Sequence, residues 1–409
     1  LYDALNRPMQ KQYVGNSVAG RSWNLIETTR YDPNFGRPVR KTFPAAGGLM
    51  GQKIYMGYTL GGDPMQTGFD ENYLASDPRS ANPTRYLRRD EGTNARGQVL
   101  SSRFGSGDAS QAYQWLVSEY DASTGWLLSR CSGITICSGV AQLGTGLDTS
   151  ATMKLGYEYD VFGNVSKSVN VGKRPTNVFQ DDVRVEIFGY DALHRMQWAK
   201  RDGAISGIPA VNQVNYLYSP VGNLMSKSDY ATNYLYEHIE HKHAVSAVTL
   251  AESGLKMNYA YDANGNLTER KIKGGTPEAF GYDIDNRPQW TNTAQSGSIT
   301  RIDFYLSATG AKALQVSTGA NPRTVIYAGA YEAEYNSVNA LTASRTYLAE
   351  GVLHNGAGAQ VGLSFMHQDR LGSALVITDK GGLILNADGA QAEFRSFDAF
   401  GKARDNRGL

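Results

Sequence analysis

A short motif of tyrosine, aspartate and glycine returns along this chain and constrains its fold more than any other feature. Two full copies are Tyr159-Asp160-Val161-Phe162-Gly163-Asn164 and Tyr261-Asp262-Ala263-Asn264-Gly265-Asn266. Looser copies stand at Tyr2-Asp3, Tyr31-Asp32, Tyr120-Asp121, Tyr190-Asp191, Tyr282-Asp283 and Phe397-Asp398. A recurring motif of this kind marks an array of one supersecondary unit. The sequence therefore predicts a repeat protein.

Each copy has the composition of a strand that enters a tight turn. Tyrosine favours a pleated, half-buried position, and aspartate can accept hydrogen bonds from the backbone just ahead of it. We expect the Gly-Asn pairs at Gly163 and Gly265 to supply the positive φ angles of a hairpin turn. The segments that follow lack the spacing of an amphipathic helix. The sequence predicts an almost wholly β chain of antiparallel hairpins with few helices.

The motif does not keep a constant period. The steps from tyrosine to tyrosine are 31, 28, 43 and 21 residues between Tyr159, Tyr190, Tyr218, Tyr261 and Tyr282. A strict solenoid would hold its period more closely. We therefore predict hairpins of variable length in one continuous sheet, with insertions at the hairpin tips.

Tyrosine is the dominant aromatic residue, with 25 copies against 13 phenylalanines and 5 tryptophans. We interpret the tyrosines as structural groups that stack across neighbouring strands. The alternative is a sugar-binding face, because aromatic rings also pack on pyranose rings. The position of the tyrosines in the turn motif favours the structural interpretation.

Charge and hydropathy exclude several classes of partner. The chain has 40 basic and 39 acidic residues, mixed along its length, and no basic run that would indicate nucleic-acid binding. No apolar stretch is long enough to predict a membrane span. The chain begins inside a repeat motif, without an initiator methionine or a signal peptide. We therefore expect a piece of a longer polypeptide.

Cysteine and histidine give weak signals for metal binding. The five-residue gap between Cys131 and Cys137 does not match the spacing of common zinc pairs, and we expect two free thiols, with a disulfide as the alternative outside the cytosol. On a strand, His241 and His243 would share a face and His238 would lie on the other. Zinc binding is the alternative to our interpretation of this segment as a polar ribbon. We expect no bound metal and no cofactor.

The sequence contains none of the common catalytic motifs. It has no Gly-x-Ser-x-Gly nucleophile elbow, no phosphate-binding loop and no His-Glu-x-x-His. Most aspartates stand in turn motifs, where hydrogen bonds to the backbone explain them without catalysis. We therefore expect no hydrolase, transferase or protease activity from residues 1–409.

The repeat motifs resemble the YD repeats of the Rhs (rearrangement hot spot) family, which includes polymorphic toxins, shells of insecticidal toxin complexes and, more distantly, teneurins. The second half resembles the opening of the Rhs-associated core, in order at residues 325–332, 345–348, 367–373, 378–379 and 397–401. The resemblance divides the chain into a degenerate YD-repeat segment (1–156), a YD-repeat β-shell (157–310) and a truncated core opening (311–409).

The resemblance implies an antiparallel sheet that spirals into a hollow shell, a β-cocoon. Such a shell encloses a C-terminal toxin domain of the same polypeptide, and secretion or toxin-complex components are further partners. The protein would be secreted or delivered by a secretion system. The implied structural repeat residues are Tyr159, Asp160, Gly163, Asn164, Tyr190, Asp191, Tyr261, Asp262, Gly265, Asn266, Tyr282 and Asp283. The implied core motif residues are His367, Asp369, Leu371, Gly372, Ser373, Asp398 and Gly401.

The chain departs from the family pattern at its end. Many members continue for some tens of residues to an aspartyl self-cleavage motif, which Asp405-Asn406-Arg407-Gly408-Leu409 mimics with asparagine in place of proline. We interpret Leu409 as a truncation, with a cleaved end as the alternative. Three hypotheses remain: a shell segment of an Rhs toxin, an extracellular YD-repeat protein that binds carbohydrate or a cell surface, and a self-cleaving aspartyl protease segment or other hydrolase. We favour the first.

Overall fold

The computed structural model describes residues 1–18, 20–46, 51–59, 61–68, 86–105, 114–134, 151–173, 181–202, 213–295, 298–319, 322–349, 351–356, 362–379, 384–385 and 395–403. These residues contain no helix and form strands β1 (Gln10–Val18), β2 (Arg21–Tyr31), β3 (Pro38–Thr42), β4 (Lys53–Tyr58), β5 (Pro64–Gly68), β6 (Tyr86–Thr93), β7 (Val99–Phe104), β8 (Gln114–Tyr120), β9 (Leu127–Gly133), β10 (Ala151–Tyr159), β11 (Val165–Lys173), β12 (Asp181–Tyr190), β13 (Met196–Asp202), β14 (Val214–Tyr218), β15 (Leu224–Lys227), β16 (Ala231–Leu235), β17 (Ala247–Leu250), β18 (Lys256–Tyr261), β19 (Leu267–Ile272), β20 (Glu278–Tyr282), β21 (Pro288–Gln295), β22 (Ser298–Leu306), β23 (Lys312–Thr318), β24 (Arg323–Ala328), β25 (Tyr331–Asn336), β26 (Leu341–Tyr347), β27 (Gly351–Gly356), β28 (Gly362–Gln368), β29 (Ala374–Asp379) and β30 (Ile384–Leu385).

The strands form one antiparallel meander. Each strand pairs with the next along the chain, from β1 with β2, through β13 with β14, to β29 with β30. Within the described ranges, β1 pairs only with β2 and β30 only with β29, so the sheet is open and not a closed barrel. The all-β, antiparallel fold predicted from the sequence is confirmed.

The two edges of this meander differ in the length of their connections. Turns that lead from an even-numbered to an odd-numbered strand share one edge, which we call the YD edge because the motif lies there. Most of its connections have five residues, such as 160–164, 191–195 and 262–266. The opposite edge carries the long connections, such as 69–85 and 134–150. The predicted insertions therefore fall mainly on one edge.

Late strands lie over early strands in the same order along the chain. In three core clusters, β2 meets β24, β4 meets β28, and β10 meets β29. A sheet folded back on itself would bring its strands together in reverse order, whereas a spiral brings them together in the same order. The sheet therefore spirals. The clusters contain Leu25 and Ile326, Ile54 and Leu363, and Leu155 and Leu375, respectively.

The state of the first cysteine corrects one sequence expectation. Cys131, buried in β9, is disulfide-bonded, and Cys137, the only other cysteine of the sequence, lies outside the described residues. The prediction of two free thiols is therefore wrong. That prediction gave more weight to cellular compartment than to the short separation, over which a chain can turn back on itself.

The proposed division at residue 156 falls inside β10, which pairs with both β9 and β11. The three-segment division stays a prediction. Among the residues that the structure describes, no helix is both long and apolar enough to cross a membrane.

Candidate functional site: the row of YD turns

The YD turn at Asp160 is a three-residue loop, 161–163, that lies between Asp160 and Asn164 of the five-residue connection, and Asp160 closes it. Asp160 Oδ1 accepts hydrogen bonds from the backbone N–H groups of Phe162 and Asn164, each at 2.9 Å. The Asp160 N–H donates to the carbonyl oxygen of Asn164 at 2.9 Å, and the Gly163 N–H donates to that of Asp160 at 3.1 Å. Gly163 has a φ of 87°. This is a hairpin loop whose last residue is left-handed.

The turns at Asp191, Asp262 and Asp283 repeat this geometry. The left-handed position holds His194 in the first and Gly265 in the second, with φ angles of 59° and 86°. The expectation that Gly and Asn would both have positive φ is wrong, because a three-residue loop needs a single left-handed residue. The asparagine instead follows the loop and uses its side chain. The third turn has Asn286 at this position, with a φ of 61°.

The residue after each loop holds the second oxygen of the aspartate. Asn164 Nδ2 donates to Asp160 Oδ2 at 2.8 Å, and Arg195 Nε donates to Asp191 Oδ2 at 2.7 Å. The side-chain hydrogen bond from Asn164, together with the backbone bonds, lowers the pKa of Asp160. Both oxygens of these carboxylates are therefore occupied. The same bond joins Asn266 to Asp262 at 2.9 Å and Arg287 to Asp283 at 2.8 Å.

Several tyrosines tie their turns to the preceding one through the same hydrogen bond. Tyr190 Oη donates to the carbonyl oxygen of Val165, the first residue after the previous turn, at 2.9 Å. Burial raises the pKa of Tyr190, which keeps the hydroxyl protonated as a donor. The repeated contact is thus a hydrogen bond from the ring's polar tip. The same bond runs from Tyr31 to Pro8, Tyr58 to Pro38, Tyr159 to Leu127, Tyr236 to Leu224, Tyr261 to Val245 and Tyr282 to Leu267, at 2.6–3.1 Å.

The Asp369 part of the core motif is another YD turn. Asp369 Oδ1 accepts hydrogen bonds from the N–H groups of Leu371 and Ser373, each at 2.8 Å. Gly372 is left-handed, with a φ of 87°. Leu371 lies at the exposed tip. The core motif at Asp369 is therefore one more copy of the repeat turn, with a different flanking sequence.

His367 lies in the core motif but far from solvent. Its Nε2 is 2.9 Å from Thr378 Oγ1, and burial lowers its pKa to about 4. Gln114 Nε2 of β8 donates to the same Thr378 oxygen at 2.9 Å. This polar cluster joins an early strand to two late strands.

Asp398 forms a YD turn whose second oxygen has a distant partner. Lys227 Nζ of β15 is 2.8 Å from Asp398 Oδ2, and both side chains are buried. Burial lowers the pKa of Lys227, but hydrogen bonds to Asp229 and Asp398 outweigh burial, and the net pKa is raised. Gly401 is left-handed in this turn, with a φ of 82°. The ion pair fixes the end of the described chain to the repeat region.

The histidine-rich segment forms the irregular connection between β16 and β17, so the polar ribbon predicted there is wrong. His241 Nε2 is 3.2 Å from the carbonyl oxygen of Asp262, whereas His243 Nδ1 is 2.6 Å from Asn223 Oδ1. The two histidines thus bind neighbouring turns on different sides. The part of the chain that the structure describes holds no group of three residues suited to a metal ion. The candidate cleavage motif at residues 405–409 lies outside the described residues.

Sequence reasoning missed several turns of the same kind. Asn94 Oδ1 accepts hydrogen bonds from the N–H groups of Arg96 and Gln98 at 3.0 Å, and Gly97 is left-handed. Thr59 uses its hydroxyl oxygen in the same way. A search of the sequence for Asn, Asp, Ser or Thr followed three residues later by Gly or Asn would have identified these turns.

A cavity lies between the layers near the YD edge, with a volume of about 140 Å³. Tyr157, Ser168 and Asn170 line it from β10 and β11. The turns at Asp369 and Asp398 line it from the facing layer. The sequence did not predict this cavity, because its two walls are more than 170 residues apart.

Comparison with known proteins gives no family assignment. No family model matches the chain, and no curated protein matches it. Solved structures of toxin assemblies match at 14% sequence identity: a TcdB2-TccC3-Cdc42 crystal structure (97% of this chain, 25% of that chain, TM-score 0.37), a TcdB2-TccC3 crystal structure (96%, 24%, 0.35) and the Tc holotoxin pore of Photorhabdus luminescens (98%, 24%, 0.35). The chain spans about a quarter of their length. At these TM-scores the likeness carries no argument about function.

Proposed function

We propose that this chain is a wall segment of an Rhs-type toxin shell that encloses a C-terminal toxin domain of the same polypeptide. The observation that carries the proposal is the overlap of late strands on early strands in the same order. A spiral of uniform hairpins extends by adding units of one kind, and a layered wall leaves few unpaired strand edges. The design suits enclosure.

The chemistry of the motif supports a structural role for this segment. The aspartates of the YD turns have their oxygens occupied by backbone N–H groups and by Asn or Arg side chains. Such carboxylates are poorly placed for acid–base catalysis, because a proton acceptor needs a free oxygen that faces a substrate. We expect the segment to lack hydrolase, transferase and protease activity. Secretion or delivery by a toxin complex would bring the enclosed cargo to its target.

Limited proteolysis of the complete polypeptide tests enclosure. The complete protein, with its native C-terminal residues, is digested beside the C-terminal domain expressed alone, and the survival of that domain is followed by mass spectrometry. We expect the domain to survive much longer inside the complete protein. Equal digestion rates in the two samples would show that this wall encloses nothing.

The exposed tips of the YD edge support a second candidate, binding to a cell surface. Val161 is 90% exposed and Ile284 96% exposed at the tips of their turns, and Phe162, Leu193 and Val221 are exposed as well. Exposed apolar groups in a row are typical of interaction surfaces. Flow cytometry with a labelled chain tests this, and the Ile284→Ser and Leu193→Ser substitutions should then reduce cell binding. Full binding by both variants would contradict the candidate.

A further inference from the structure

A histidine lies in the contact between early and late strands, inside a small polar cluster. His367 of β28 is 3% exposed, and Gln114 of β8 and Thr378 of β29 are 1% and 0% exposed. Thr378 Oγ1 lies 2.9 Å from His367 Nε2 and accepts a hydrogen bond from Gln114 Nε2 at 2.9 Å. Gln114 Nε2 also donates to the carbonyl oxygen of Asp379 at 2.9 Å. One threonine hydroxyl group therefore joins the histidine to the early layer.

Aromatic side chains border this cluster on both layers. Phe104 is the cross-strand partner of Gln114, and Phe365 is the cross-strand partner of Thr378. The two phenylalanine rings meet across the layers with their centroids 5.8 Å apart. A proton on the His367 ring would place a positive charge in this buried contact, and an uncompensated buried charge is costly.

The strand register identifies the ionisable groups on the facing surfaces. Among the described residues they are the Arg88–Asp90 pair of β6, Arg130 of β9 and Tyr157 of β10. Asp90 is already paired with Arg88 at 2.9 Å, and Arg130 is itself a cation. Burial raises the pKa of Tyr157 to about 12, which keeps its hydroxyl group neutral. These groups offer no free negative charge to a protonated His367.

The other ionisable groups near this contact face away from it or are bound in a turn. Asp369, two residues after His367, accepts hydrogen bonds from the N–H groups of Leu371 and Ser373, each at 2.8 Å. Burial is the cause of the lowered pKa of His367, with no contribution from a neighbouring charge. The groups on the opposite faces of the surrounding strands are Arg89, Glu91, Arg103, Glu119, Lys154, Glu158, His354 and Asp379.

We propose that His367 is an acid-sensitive switch in the contact between the layers, and that its protonation weakens the hold of β28 and β29 on β8. The neutral ring fits this contact with one hydrogen bond to Thr378, whereas a charged ring must either leave the contact or stay buried without a counter-charge. Separation of the layers exposes the ring to solvent, so protonation and separation favour each other. The switch is a property of the layered fold and does not require an enclosed cargo.

The direction and the size of the pH effect follow from the two pKa values of His367. In the closed contact its pKa is about 4, against the ordinary value of 6.5 that it regains when the layers separate. The contribution of the neutral ring to the contact is fully present above pH 6.5 and is lost as pH falls towards 4. The equilibrium constant for separation should therefore rise roughly 30-fold between about pH 7.5 and pH 5.

Hydrogen exchange of the complete chain measures this separation, after correction for the pH dependence of intrinsic exchange. We expect the opening constants of β8, β28 and β29 to rise roughly 30-fold between about pH 7.5 and pH 5. Those of the hairpin of β20 with β21, which contains no histidine, should stay constant. His367→Gln keeps a polar side chain without a titratable ring and should abolish the rise.

His354→Gln is the matched control. His354 Nε2 lies 2.8 Å from Ser364 Oγ, on the opposite face of the same sheet. This variant also loses one histidine near β28 but leaves the contact with β8 unchanged. It should therefore keep the native rise in the opening constant of β8.

Two results would overturn the proposal: a rise below about threefold in the native chain, or a full rise in His367→Gln. If His367→Gln proves unfolded at neutral pH, deuterium exchange at the imidazole C2 position of the native chain takes its place, because that rate titrates with the pKa of each histidine. Titration of His367 near pH 6.5 while β8 stays protected would show that the ring gains its charge without disturbing the contact, and this also counts against the switch.

Discussion

Two glycines of the YD turns have the same backbone conformation but different surroundings. Substituting each of them distinguishes the backbone strain of a left-handed residue from the crowding of a neighbouring side chain. Gly163 and Gly222 have φ angles of 87° and 91°. A Cβ atom on Gly163 would lie 2.7 Å from Trp126 Cζ2, whereas a Cβ on Gly222 would meet nothing within 4 Å. The substitutions Gly163→Ala and Gly222→Ala therefore share the backbone penalty and differ in the contact with Trp126.

The expected costs follow from these two terms. A non-glycine residue in the left-handed region costs about 1–2 kcal/mol, partly offset by the lower entropy of an unfolded chain with alanine. Gly222→Ala should therefore cost about 1 kcal/mol. Crowding of a packed ring adds about 1–3 kcal/mol. Trp126 also contacts Tyr159, with ring centroids 5.0 Å apart, so its displacement should disturb the neighbouring motif. Gly163→Ala should cost about 2–4 kcal/mol.

Hydrogen exchange measured by mass spectrometry reports these costs locally, as the free energy of opening of β10 with β11 and of β14 with β15. We expect faster exchange in both variants and a larger change for Gly163→Ala. Gly222→Asn serves as a control, because asparagine tolerates the left-handed region, as Asn286 does with a φ of 61°. Equal changes in the two alanine variants would refute the role of Trp126, and no change in either would refute the backbone argument.

Three further predictions follow from single bonds of the wall. Tyr190→Phe removes the bond to the Val165 carbonyl and should lower the free energy of unfolding by about 1 kcal/mol in urea. Lys227→Met leaves Asp398 buried without its counter-charge and should lower the free energy of unfolding by about 3–5 kcal/mol. The change should appear as faster hydrogen exchange at residues 395–403. A decrease below about 1 kcal/mol would show that water screens the ion pair. Hydrogen bonds from Asn266 lower the pKa of Asp262. The contribution of Asp262 to the stability of the fold is therefore present above the unfolded pKa of about 4 and is lost as pH falls through the folded pKa. Asp262→Asn should flatten the acid side of the profile of unfolding free energy against pH, and an unchanged profile would contradict this.

Local features of the wall could be predicted from the sequence because they depend on neighbouring residues. The aspartate that caps a turn at Asp160 and the left-handed glycine at Gly163 lie within one hairpin. The exact loop type could not be predicted, since Gly-Asn is compatible with both two-residue and three-residue loops. The order of the strands followed from the short connections between hairpins.

Contacts between the layers could not be predicted in this way. The ion pair of Lys227 with Asp398 and the bond between Gln114 and Thr378 join residues that are far apart in sequence. They depend on which early strands the late strands of the spiral cover. The curvature and twist of many strands together determine this overlap. The cavity could not be predicted either, because one of its walls belongs to early strands and the other to late turns.

The tyrosine bonds explain why the two edges of the sheet differ in length variation. Each of these hydroxyls must reach a carbonyl at the end of the preceding loop, so the ends of those loops have fixed positions. The connection 236–246 is longer than its neighbours, yet Tyr261 Oη still donates to Val245 O at 3.0 Å, because the bond uses the last part of the loop. The described residues of the opposite edge hold no comparable row of tyrosine bonds. Insertions there change no repeated contact, and the period of the motif can drift without breaking the wall.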